Sequence, residues 1–187
     1  MPGNWKNTEV AWGSIARSFH WLLAILILGQ LALGKIAEGA KLSPLKLDLF
    51  VWHKSIGVTI LALVMLRLAW RLGNPPPAPP AAMPRWETKL AAVGHTLLYV
   101  LMLAVPLSGW WISDSSRIPF KAYWILPMPD LLAVDRSVQE IAEGMHDVLT
   151  MVLLVVVIVH IAAALRHHFY LRNQILRRML FAPRQKG

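Results

Sequence analysis

Residues 90–113, LAAVGHTLLYVLMLAVPLSGWWIS, run for twenty-four positions without a charged side chain. At about 1.5 Å per residue, such a helix is roughly 36 Å long, enough to cross a hydrocarbon layer of about 30 Å. Three further apolar blocks, about 18–38, 49–70 and 146–166, repeat the pattern. The second is charge-free only over 55–66, so Lys54 and Arg67 must snorkel or turn inward. Pro106 and Gly109 predict a bend in the third. The chain therefore reads as all-α, an integral membrane four-helix bundle forming one domain over 1–187. Only 16% of residues are charged, against about 25% in soluble domains.

The connectors are equally informative. GNPPPAPPAAMP, 73–84, is a polyproline-like spacer between the second and third spans. The longest polar stretch, 114–145, is expected to hold a short amphipathic helix over DLLAVDRSVQEIAEG (130–144). The basic tail 167–187 is expected to lie at the interface. The N-terminus, the 67–89 region and the tail carry twelve bases and two acids, and the other side seven bases and eight acids. That asymmetry places both termini in the cytoplasm. No removable signal peptide is expected, since the first twenty residues lack a small-residue cleavage site after an apolar core. Nucleic-acid binding is not expected either, because the +9 net charge lies in short tracts between apolar blocks.

Seven histidines and no cysteine set the chemistry. Topology places His53 and His146 in an outer layer and His20, His95 and His160 in an inner one. His146 and His160 share one helix; fourteen residues separate them by roughly 21 Å and leave them within about 40° of one face. Ionisable groups at membrane depth are costly and usually functional. Without cysteine, neither iron–sulfur ligation by thiolates nor covalent haem attachment is available. Zinc transport would add mid-membrane carboxylates, which the spans lack. Haem held by two neutral imidazoles suits the apolar walls better. One turn beyond His20 lies Ala24, whereas Tyr99 follows His95, which favours His20 as the partner of His160.

The segments RSFHW, WHKSIG, VGHTLLYVLMLAVPLSGW, MHDVL and VHIAAALRHHF together resemble, in order and spacing, the prokaryotic cytochrome b561 family. The resemblance covers essentially the whole chain. It implies a multi-pass protein of the bacterial inner membrane with two non-covalent haem b groups. His20 with His160 would ligate the cytoplasmic-side haem iron, and His53 with His146 the outer one. It further implies quinone-linked electron transfer, including oxidation of superoxide coupled to ubiquinone reduction.

Lys54, next to His53, with Lys35, Lys41 and Lys46 nearby, forms a positive patch that would steer an anionic donor; anchoring of helix ends is the alternative. His95, and Arg166 with His167 and His168, are candidates for binding a quinone carbonyl or supplying its protons. For the last three, contact with lipid phosphate or haem propionates competes. Gln30, mid-span, either satisfies a neighbouring backbone or approaches a haem. Two other functions stand beside the oxidase reading. One is a cytochrome b subunit fed by a separate dehydrogenase or hydrogenase, docking at the 114–145 loop with its Trp124. The other is a haem-free metal transporter or sensor.

Overall fold

The computed structural model describes residues 5–80, 83–116, 120–129 and 133–180. Four helices are long and apolar enough to cross a membrane. They are α1 (Ser14–Gly39), α2 (Pro44–Gly73), α3 (Arg85–Ser115) and α4 (Arg136–Leu165). A π-helical turn, Arg166–Tyr170, continues α4, and a short α5 (Ile175–Leu180) follows. All four long helices extend beyond the apolar blocks in the sequence, because polar residues carry their ends past the hydrocarbon.

Local signals explain the starts. Ser43 caps α2 by accepting from the Lys46 amide at 3.3 Å, with Pro44 opening the helix. Asp135 caps α4, accepting from Ser137 and Val138 at 2.8 and 3.2 Å. Residues 136–144 are thus the first turns of α4 and not a separate amphipathic helix, while 130–132 lie outside the described residues. Pro106 sits inside α3 without ending it; the helix gives up one backbone bond there.

The helices pack in chain order, most closely α3 on α4 and α1 on α2. At mid-height Leu23, Ile27, Ile60, Val64, Leu101 and Leu153 form the buried core. Large apolar side chains such as Ile25, Val148 and Val159 point outward and are more than 60% exposed, as lipid-facing positions require. The described N- and C-terminal segments gather at one end of the bundle. There Asn7 donates to the Asn74 and Pro75 carbonyls, Arg178 donates to the Ala78 carbonyl, and the Trp21 indole donates to the Met179 carbonyl. The tail's described part, to residue 180, is therefore docked on the bundle, and 181–187 lie outside the described residues.

The opposite end carries an element absent from the all-α expectation, a two-stranded antiparallel hairpin of β1 (Lys121–Ala122) and β2 (Leu126–Pro127). Its turn residues Tyr123 and Trp124 have φ of 52° and 61°, a region β-hairpin turns normally fill with Asn or Gly. The turn is fastened to α2: the Tyr123 amide donates to Ser55 Oγ at 2.7 Å, and the Tyr123 and Thr59 hydroxyls share a 2.7 Å bond.

Candidate functional site

The histidines gather at two depths. Near the hairpin end, His53 of α2 faces His146 of α4, with ring centroids 6.4 Å apart and planes at 83°. Near the termini end, His20 of α1 faces His160 of α4 at 6.2 Å and 82°. A metal between two imidazoles lies about 2.0–2.1 Å from each nitrogen, which with about 1.2 Å to each ring centre spaces the centroids by roughly 6.4 Å. Both pairs match that spacing. His95 also touches His160, but at 5.5 Å, short of it.

The surroundings fit haem ligation. His146 Nδ1 lies 3.1 Å from the Val105 carbonyl and 2.9 Å from Ser108 Oγ. A carbonyl only accepts, so Nδ1 carries the proton and Nε2 keeps its lone pair for a metal. His53 Nδ1 is buried without a partner. Two glycines make room for these rings. A Cβ on Gly34 would come within 2.9 Å of the His53 ring, and one on Gly109 within 3.2 Å of the His146 ring. Among the described residues no cluster of three or more His, Cys, Asp or Glu gathers to hold a metal. Each pair thus brings two imidazoles together with no third side chain of these types, among the described residues, placed to share a metal with them.

Other candidates are placed as follows. Gly57, one turn beyond His53, faces the Gln30 amide and not an imidazole. Gln30 Nε2 donates to the His53 carbonyl, so its amide serves the α2 backbone at the outer-layer histidine. Lys54 is half-buried, its Nζ 5.5 Å from the centre of the Phe120 ring. Lys35 pairs with Glu38 at 2.8 Å and Lys46 donates to the Glu38 carbonyl, which narrows the positive patch.

The quinone candidates do not converge on one place. His95 lines a cavity of about 370 Å³ between α2 and α3, with Leu68, Arg71, Ala92, Thr96, Tyr99, Val100 and Leu103. Arg166 instead pairs with buried Glu87 at 3.1 Å; His167 lies 3.8 Å from the same carboxylate and 2.6 Å from the Asn173 amide. His168 keeps a buried, unpartnered Nδ1 and packs on Phe169. Glu87, Gly34 and Gly109 were missed in the sequence. A lone carboxylate near a helix start and glycines within apolar runs carry no signal until the partner helix is placed.

Four membrane-length helices with facing imidazoles at two depths define a multi-pass membrane protein with paired histidines inside its bundle. Comparison with known proteins agrees: the prokaryotic cytochrome b561 family matches residues 11–182. The chain is 34% identical over 185 residues to cytochrome b561 homolog 2 of Escherichia coli, covering 95% of each chain. It is 29% identical over 172 residues to a probable superoxide oxidase, CybB, of Yersinia pestis, covering 90% of this chain and 93% of that one. The chain belongs to the prokaryotic cytochrome b561 family and is a multi-pass inner-membrane electron-transfer protein. Membership implies haem b as the cofactor.

Proposed function

We propose that the protein holds two haem b groups, one between His53 and His146 and one between His20 and His160, and links superoxide oxidation outside to ubiquinone reduction inside. The 6.2 and 6.4 Å spacing of the two imidazole pairs carries this reading. Each bound haem supplies a reversible one-electron couple. The chain's charge asymmetry sets the frame, with both termini cytoplasmic and the hairpin end periplasmic. Two superoxide ions each give up one electron and leave as dioxygen; one ubiquinone takes two electrons and two protons.

The residues divide the work. His53, His146, His20 and His160 ligate and orient; Val105 fixes the His146 tautomer. Lys54 supplies positive potential beside the outer pair, which favours an anionic donor. His95, in its cavity against His160, is placed to hydrogen-bond a quinone carbonyl and pass it a proton. Arg166 and His167, held by Glu87, and His168 beside them, form the interfacial alternative. The similarity to a probable superoxide oxidase supports the donor.

The deciding experiment adds a superoxide source and ubiquinone to the purified protein in detergent and follows quinone absorbance. Reduction beyond the uncatalysed rate, with His146→Ala and His160→Ala each retaining half the haem, is the expected result. A colourless protein removes the haem reading. Stable co-purification with a larger periplasmic protein, with no superoxide activity, favours a cytochrome subunit fed by a separate dehydrogenase or hydrogenase.

A further inference from the structure

The fourteen-residue interval between His146 and His160 recurs on every membrane helix. His20 is followed by Gly34 on α1, His53 by Arg67 on α2, and His95 by Gly109 on α3. Since fourteen residues return a helix to nearly its starting face, each helix presents one residue to each layer. At the hairpin end these are Gly34, His53, Gly109 and His146, two rings each with a glycine against it. At the termini end they are His20, Arg67, His95 and His160: two facing rings, a third imidazole against His160, and a cation at the same register. The two layers share one frame and differ in charge.

Arg67 fills the α2 corner of the termini-end layer. Its Nε donates to the Tyr99 hydroxyl at 3.0 Å, and its guanidinium carbon lies 5.8 Å from the Tyr99 ring centre. Arg71, one turn on, sits 5.5 Å from the same ring. Arg67 is half-buried, and none of the ion pairs among the described residues includes it. Tyr99 lies one turn beyond His95, whose ring packs on His160, so the guanidinium is held close to the level of that histidine cluster. A membrane-depth guanidinium is costly unless a negative group faces it, and the carboxylates of a porphyrin are what a guanidinium recognises well.

We propose that Arg67, held in place by Tyr99, is the counter-charge of the haem at the His20–His160 pair and keeps that couple easier to reduce than the one at the glycine-lined pair. This rests on the two-haem reading above. Reduction adds one negative charge at the iron, so a fixed cation nearby favours the reduced state. At the hairpin end the corresponding α1 and α3 positions are glycines, and the cation nearby, Lys54 next to His53, is opposed by the carboxylate of Asp147 next to His146, so that layer carries less net positive charge in the shared frame.

The test is a redox titration followed by visible absorbance on the full-length protein, comparing wild type, Arg67→Gln and Arg67→Lys. A parallel set in a His146→Ala background isolates the termini-end couple. Haem content is measured first; a wild type without two haems ends the underlying reading and not merely this one. With two haems present, Arg67→Gln is expected to lower the termini-end couple at least tenfold in its reduction equilibrium, 59 mV for one electron. Arg67→Lys should shift less, and the other couple should stay in place. Unchanged potentials in Arg67→Gln overturn the proposal. If the Gln variant loses the haem, the Lys variant decides: haem retained near the wild-type potential supports a charge role, and equal loss in both overturns it.

Discussion

At the scale of single residues, two glycines matter as much as the histidines they face. Replacing Gly34 by Ala brings a methyl to 2.9 Å from His53, and that ring must move. On the two-haem proposal, Gly34→Ala loses most of the haem assigned to the His53–His146 pair while the other stays, read from the haem-to-protein ratio and the reduced spectrum. Gly109→Ala, at 3.2 Å, should do less. Lys54→Gln is expected to slow reaction with superoxide and flatten its dependence on ionic strength, measured by stopped flow across a salt series. Unchanged kinetics leave Lys54 an anchor against Phe120. His146 and His160 were readable in the sequence because one helix carries both, so helical phase alone fixes their relation. Their partners on other helices depend on packing, which a single sequence does not display; the family resemblance supplied them. Gly34 and Gly109 were unreadable for the same reason.

At the scale of elements, the spans were legible and the connections less so. Long apolar runs report membrane crossing directly, since the bilayer imposes both length and composition. The hairpin was hidden because its strands are two residues each and its turn uses Tyr and Trp where Asn-Gly would signal one. Ser55 and Thr59 on α2 hold that turn in place, a tertiary contact overriding local preference. The start of α4 at Arg136 was misplaced because a polar helical end resembles a separate amphipathic segment. Its Asp135 cap makes the correction testable. Asp135→Ala should cost about 1 kcal/mol, seen as a lower thermal midpoint, and Asp135→Asn should restore most of it. No effect from either would mean that packing alone sets where α4 begins.

At the scale of the whole molecule, the apolar core lies between the two histidine layers, with Leu153 midway from His146 to His160. The bundle is thus a stack of polar, apolar and polar levels. Orientation is open to direct measurement because the chain has no cysteine. In intact cells Ile125→Cys, on the exposed hairpin, should react with an impermeant maleimide, and Arg177→Cys only after permeabilisation. The reverse pattern would invert the topology. The fourteen-residue frame shared by all four helices also limits how such a chain can change. Inserting one residue between the layers turns everything beyond it by about 100°, taking a histidine or its facing glycine out of its layer. Two full turns, seven residues, restore the phase but add roughly 10 Å to a helix already matched to the bilayer. The helix middles are therefore free to change in spelling but not in length.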